Sequence, residues 1–387
     1  MIFLGCLFDR EKENIYLQKS KCGISNAVNG YQWNLIDGLN ENLIAPVTIV
    51  NALPVGIWKR QYKDFILEDI EWSYKGSGNY EIGCINLPFI KQYQRYCRCK
   101  KVLKKINDKR IIIYSPYLPF LRAIYKLDKS YDITLVVTDL PEYYDLGRVR
   151  KLKKFFRKLN NKRVYRYMKR IDRFVILTEQ MKEPLNISDR PYTVVEGICN
   201  GVPAPISQGK EKTILYTGTL HERFGIGTLL DAFSKIEDSE YKLWICGGGD
   251  MEKKIEEAAK RDSRISFFGY VPKSKINELQ AEATVVVNPR QNNDEFTKYS
   301  FPSKTMEYML SGKPVIMYKL DGVPDEYDRY LHYVEDNSAE SLKNKIVSVC
   351  EQTREERNEF ARRAQDFVVK EKNSAFQAKK ILRMIEK

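Results

Sequence analysis

Apolar runs of strand length alternate along this chain with stretches of helical periodicity. That alternation predicts parallel sheets with helices on both faces. In the first half the strand-like runs are Ile2–Phe8, Thr48–Val50, Arg110–Tyr114, Ile133–Thr138, Phe174–Thr178 and Thr193–Glu196. In the second half they are Lys212–Thr217, Tyr241–Cys246, Ile265–Gly269, Thr284–Asn288 and Pro314–Tyr318. Helices are expected over Thr228–Ile236, Gly249–Arg261, Lys273–Ala281, Ser303–Leu310, Ala339–Glu351 and, with breaks, Arg354–Ile385. No apolar run approaches the ~20 residues needed to cross a bilayer. The opening MIFLGCLF reads as a first strand, because Asp9, Arg10 and Glu11 follow it at once. A cytoplasmic protein is the expectation.

The segment GVPAPISQGKEK (Gly201–Lys212) is rich in Pro, Gly and Ser and reads as a linker between two α/β domains. Two such domains are expected to place a ligand in a cleft where the carboxyl ends of both sheets meet. The 387 residues suit two or three domains, and 43% hydrophobic content excludes wholesale disorder.

The net charge of +14 is concentrated in two segments. Residues 148–173 carry thirteen Lys/Arg against Asp172 alone, a net of +12, and residues 91–110 carry nine against Asp108, a net of +8. The remainder is net acidic. Patches of this kind attract anionic lipid, nucleic acid or phosphorylated ligands. In the first of them Leu152, Phe155, Phe156 and Leu159 recur at helical spacing, as do Val164, Tyr167, Met168 and Ile171. One reading is a basic amphipathic surface at the membrane interface, carried by Arg150, Lys153, Lys154, Phe155, Phe156 and Arg157. The other is a pair of surface helices whose apolar face packs on the protein itself. No nucleic-acid-binding motif accompanies the charge, so no nucleic-acid partner is expected.

Eight scattered cysteines and two histidines, His221 and His332, offer no set at metal-ligand spacing. No metal site is expected, and the cysteines read as buried reduced thiols.

Candidate chemistry lies in the second half. The strand ending at Thr217 runs into Gly218-Thr219-Leu220-His221-Glu222-Arg223-Phe224-Gly225 before a helix. Such a turn lets backbone N–H groups approach a phosphate, with Arg223 as a neutralising cation. A second strand ends in Gly247-Gly248-Gly249, which reads either as close backbone approach or as an ordinary tight turn. The most informative stretch is Ser300-Phe301-Pro302-Ser303-Lys304-Thr305-Met306-Glu307. Pro302 and Ser303 mark a helix start. Lys304 and Glu307 share one helix face, either to hold a diphosphate and a ribose or as a surface ion pair.

The order YTGTL, LLDAF, LWICGGG, ISFFGYVPKSKINELQAEATVVVNP and SFPSKTMEYMLSGKPVI resembles glycosyltransferase family 4, strongly over about 212–330 and more faintly upstream. The resemblance implies a GT-B fold, two facing Rossmann-like domains with a cleft between them. Residues 1–205 would bind the acceptor and 206–368 the nucleotide-sugar donor, with a helix over 369–387 returning to the first domain. It implies retaining sugar transfer without an obligatory metal or other cofactor. Glu307, Lys304, Arg223 and Asp139 would serve catalysis. Gly218, Thr219, Gly247, Gly248, Gly269 and Ser300–Ser303, with Glu307, would hold the donor. Gly23, Ser25, Asn26 and Asp139 would face the acceptor, Asp139 alternatively capping a helix. A lipid-linked saccharide at the inner membrane face, in bacterial surface polysaccharide assembly, is the implied setting.

The chain departs from the family pattern at three places. Tyr299 stands where the first Glu of a Glu–seven residues–Glu motif is expected, Thr219 stands where an Arg is usual, and no histidine precedes His221. A nucleotide-sugar epimerase or hydrolase of the same fold, and a non-catalytic nucleotide-sugar-binding scaffold, are the competing readings.

Overall fold

The computed structural model describes residues 1–143, 151–206, 212–293 and 295–386, with the side chains of 151–155 outside the description. The chain forms two compact units, Met1–Ile198 with Ser374–Lys387, and Cys199–Asn373.

The first unit is built on an eight-stranded sheet. Its strands follow the spatial order Tyr192–Val194, Arg173–Ile176, Asp132–Val137, Arg110–Tyr114, Ile2–Gly5, Thr48–Asn51, Ser77–Glu81 and Ile70–Tyr74. All neighbours are parallel except the last pair. That antiparallel hairpin carries no sequence signal, because its two-residue turn is Lys75-Gly76. Both residues take positive φ, 48° and 86°, and lysine rarely announces that geometry. The first strand stops at Gly5 although the apolar run continues to Phe8. The Leu7 and Phe8 amides donate to the side-chain carbonyls of Asn51 and Asn29, both at 2.9 Å, which replaces the ladder with a buried loop. Of the residues expected to face an acceptor, Gly23 and Ser25 precede a helix that begins at Asn26 and runs to Asn42. The C-terminal helix Ser374–Ile385 packs on this helix. A Cβ on Gly38 would lie 2.0 Å from the Ser374 carbonyl oxygen, so only glycine permits that approach.

Among the described residues the basic segment forms one helix, Lys151–Met168, where one of the two sequence readings expects a pair of surface helices. Its carboxyl half packs inward through Val164 and Met168, with Ile171 just beyond it, and Tyr167 contacts the Tyr125 ring at 5.0 Å. Phe156 and Leu159 on its earlier turns stay exposed. Arg150 and the side chains of Lys153, Lys154 and Phe155 lie outside the described residues. Among the described residues no helix is long and apolar enough to cross a membrane.

The second unit carries a fully parallel six-stranded sheet. Its spatial order is Ile265–Gly269, Lys242–Cys246, Thr213–Thr217, Val285–Asn288, Val315–Tyr318 and His332–Val334. Successive residues feed opposite cores. Ile214, Leu243, Ile245, Val285 and Val287 face one helix layer, while Leu215, Trp244, Cys246 and Val286 face the other. Burial on both faces explains why these strands read as unbroken apolar runs. Part of the expected linker belongs to this unit, because the Ala204 amide donates to Leu310 and the Ala204 carbonyl accepts from Gln365 Nε2.

Candidate active site

In the second unit the chain runs from Thr213–Thr217 outward through Lys242–Cys246 to Ile265–Gly269. It then crosses back to place Val285–Asn288 on the other side of the first strand. Ligands bind at such a reversal, beyond the carboxyl ends of the two diverging strands. The residues there are the Gly218–Gly225 loop and Pro289-Arg290. The two segments touch at Gly225, which has φ 82° and where a Cβ would stand 1.8 Å from the Pro289 carbonyl oxygen.

The glycines expected to face a donor have different neighbours. Gly247, at φ 140°, backs onto the Gly218 carbonyl oxygen, with only 1.7 Å available to a Cβ. Gly249 is similarly pressed against the Leu220 backbone. These two are glycines because adjacent strand ends cross there. Around Gly248 the nearest atom to an added Cβ is Glu252 Oε1 at 3.3 Å, and around Gly269, at φ 62°, there is nothing within 4 Å. Gly248 and Gly269 therefore have the more open space at the Cβ position, while their carbonyls accept from the Leu220 and Gly247 amides.

Arg223 is exposed, as is Thr219. Arg223 lies over the rings of Phe224 and Phe296 at 5.1 and 5.9 Å. The same two rings are shared by Arg290, at 5.7 and 4.7 Å. Arg290 is buried and donates from Nη2 to Ser300 Oγ at 2.9 Å. Arg290 belongs to no motif recognisable along the chain. Its only signal was position, two residues past a strand that borders the reversal. The structure thus joins Ser300 to Arg290, which shares two aromatic rings with Arg223, and two neighbouring guanidinium groups suit phosphate oxygens.

The helix Lys304–Leu310 starts without a side-chain cap from the exposed Ser303. Phe301 and Pro302 are buried, and Phe301 packs against Tyr327, so their side chains are core. Lys304 and Glu307 do pair, at 3.2 Å, and Lys273 approaches the same carboxylate at 3.8 Å. All three side chains are solvated, so the cluster contributes little to stability. The helix is fixed to the site by Tyr308. Its hydroxyl accepts from the Thr217 amide and donates to the Thr217 carbonyl, both at 2.8 Å, immediately before Gly218. Replacing Tyr308 by phenylalanine leaves a buried N–H and C=O unpaired, and a loss of about 2 kcal/mol in urea unfolding of this unit is expected. A change below about 0.5 kcal/mol would mean the backbone re-pairs elsewhere.

In the first unit the order reversal lies between Ile2–Gly5 and Arg110–Tyr114. A cavity of about 630 Å³ opens there, and Asp139 lines it together with Cys6, Ser115 and Thr138. Asp139 reaches solvent, yet the surrounding protein raises its carboxyl pKa, opposed by a hydrogen bond from Thr138. It precedes a turn closed by Tyr143 N–H to the Leu140 carbonyl, and caps no helix among the described residues. Gly23, Ser25 and Asn26 are exposed and do not line this cavity, although Val28 does. Asn26 donates to Glu13 instead, at 2.7 Å. Ser115 holds φ 66°, a conformation that L-residues adopt at a cost and that clusters at functional sites.

Residues 211–352 match the family model described as Glycosyl transferases group 1. No curated protein matches the sequence. Among solved structures, the lipopolysaccharide outer core galactosyltransferase WaaB aligns over 100% of this chain and 98% of its own, with TM-score 0.66 and 14% identity. Anabaena HepE in complex with UDP aligns over 100% of both chains, with TM-score 0.65 and 14% identity. TarM aligns over 86% of this chain with TM-score 0.59 and 14% identity, and the alignment spans 66% of TarM, just under two thirds of that longer protein. At these identities the likeness is one of fold. Over residues 211–352 the chain is similar to the group 1 glycosyltransferases, and its two Rossmann-like units have the GT-B fold.

Proposed function

We propose that this protein is a retaining, metal-independent hexosyltransferase. It would take its sugar from a nucleotide-sugar donor on the second unit and pass it to a saccharide acceptor on the first. The observation that carries the reading is the pairing of Arg290 and Arg223 on Phe224 and Phe296 at the reversal of strand order, inside the segment that matches the group 1 family. The bond from the anomeric carbon to the diphosphate breaks with its electrons leaving on the phosphate oxygen. The acceptor oxygen bonds on the same face, and its proton passes to the departing diphosphate. The arginines and the uncrowded turns at Gly248 and Gly269 meet the growing negative charge. Glu307 accepts from the ribose hydroxyls. The UDP bound by HepE makes uridine diphosphate sugars the first donors to try.

The test is turnover of a panel of UDP-hexoses with saccharide acceptors, with and without EDTA, and NMR of the product. An α-linked product from an α-donor, formed equally with the chelator, is expected. An inverted linkage, or donor hydrolysis as the sole reaction, overturns the retaining transfer. Rescue of a chelated enzyme by Mg²⁺ overturns the metal independence.

A lipid-linked acceptor in bacterial surface polysaccharide synthesis, at an anionic membrane face, is part of the same reading. It is supported by exposed Phe156 and Leu159 on the basic helix Lys151–Met168. Co-sedimentation with vesicles containing anionic lipid is expected, weakening as salt rises. A Phe156→Ser/Leu159→Ser variant should lose most of it. Equal binding to neutral vesicles at high salt would show that the charge is not what docks the protein.

A further inference from the structure

We propose that the cavity at the strand reversal of the first unit is a phosphate site, in which Lys91 and Arg95 receive the phosphate of a phosphorylated acceptor. This rests on the glycosyl-transfer reading for what the phosphate belongs to, but not for the site itself.

The helix Ile90–Leu103 buries one stripe, Lys91, Arg95, Cys99 and Leu103, each four residues after the last. The last two are ordinary core residues. The first two are cations, 6% and 2% exposed, and both line the cavity. Their partners in the protein are neutral. Arg95 donates to the Leu53 carbonyl at 2.7 Å and the Tyr117 hydroxyl at 2.9 Å, and its Nε–H has no partner. Lys91 donates to the Val55 carbonyl and to Asn86 Oδ1 at 3.1 Å. Among the described residues no carboxylate lies within ion-pair distance of either. Glu81 is near enough to sense Arg95, but its carboxylate accepts from Asn51, and burial raises its pKa. Asp139 shares the cavity from its exposed side.

Pinning the 53–55 loop explains the hydrogen bonds but not the charges. Neutral donors would hold the Leu53 and Val55 carbonyls without setting two like charges four residues apart. Both also stand in the first two turns of their helix, the end whose dipole opposes a cation. Burial and the Arg95 charge together press the Lys91 pKa down to about 8, so the site already resists its own second charge. An anion in the cavity would offset the mutual repulsion and the burial of both charges. Two cations and flanking polar groups on Gln92, Thr138 and Tyr143 suit a dianionic phosphate carrying a hydroxylated body. Asp139, across the same cavity, is placed to orient a hydroxyl of that body.

The test uses the full chain with the donor side filled by saturating UDP. Inorganic phosphate is then titrated by calorimetry into the wild type and into Lys91→Gln and Arg95→Gln. Saturable binding is expected in the wild type, weakened about tenfold or more in Lys91→Gln, with UDP affinity unchanged within twofold. Arg95→Gln adds a second reading where it folds, and Lys91→Gln stands alone where it does not. Phosphate that fails to bind, or that binds Lys91→Gln as well as the wild type, overturns the site. Glucose 1-phosphate and dodecyl phosphate in micelles form the next two arms. Tighter binding of the first identifies a soluble sugar phosphate as the source, and of the second a lipid phosphate. Phosphate binding without any UDP binding would uphold this site while removing the transferase reading. UDP-sugar turnover with no response to phosphate would do the reverse.

Discussion

Replacing Arg290 by alanine is expected to lower kcat/KM for the donor by about a hundredfold or more, on the order of 3 kcal/mol of transition-state stabilisation. The guanidinium is buried, stacked on Phe296 at 4.7 Å and bonded to Ser300. It therefore acts in a low-dielectric setting and pays little reorganisation when the diphosphate departs. Arg223 shares both rings but is exposed, so Arg223→Ala is expected to cost nearer tenfold. The loss in Arg290→Ala should fall mainly on kcat, because the charge it meets grows as the bond breaks. Arg290→Lys should recover part of it, since a lysine keeps the charge but neither the stacking nor the fork geometry. Steady-state kinetics on folded protein, verified by its thermal melt, decide the matter. A kcat/KM within threefold of wild type would move the diphosphate away from this pair, and the cluster of Lys304, Lys273 and Glu307 would be tested next.

The second large effect is on folding. Gly247→Ala is expected to destabilise the second unit by at least about 3 kcal/mol. The new methyl would sit 1.7 Å from the Gly218 carbonyl oxygen, and both sides of the contact are backbone at strand ends. No side chain is available to swing away. Gly269→Ala meets empty space, and its φ of 62° limits the cost to about 1 kcal/mol. Gly248→Ala meets only the end of the Glu252 side chain and is expected to be nearly neutral for stability. The same series separates structure from function. If the backbone at 248 faces the donor, Gly248→Ala loses donor affinity while its urea midpoint stays put. A stable, fully active Gly248→Ala would assign the whole triple glycine to strand crossing. A Gly247→Ala as stable as wild type would show that these strand ends can separate.

Much of the second unit was legible along the chain because its strands are buried on both faces. Thr213–Thr217, Lys242–Cys246 and Val285–Asn288 appear as apolar runs whatever their neighbours, and helices between them follow from spacing. The GT-B fold and the group 1 domain rest on that order, and both were legible in the motifs. The hairpin Ile70–Tyr74/Ser77–Glu81 was not, since its strands are short and half solvated and its turn uses lysine. The basic helix was visible as charge and period. Which half of its apolar face is covered depends on Tyr125 and the residues around Val164, which no local pattern specifies.

The sites divide the same way. Lys304 and Glu307 are three residues apart on a helix, so their pairing follows from sequence spacing alone. Arg290 and Arg223 are brought together on Phe224 and Phe296 by the return of the chain across the sheet, a long-range event. Lys91 and Arg95 look in sequence like two more members of a solvated basic run. Only the packing of their helix turns that stripe inward, because the residues that follow it at the same period, Cys99 and Leu103, belong to the core. Local periodicity and motif order determined the elements of this protein and its likeness to the group 1 glycosyltransferases over 211–352. Which charges lose their water was decided by tertiary packing, since desolvation belongs to neighbours distant in sequence.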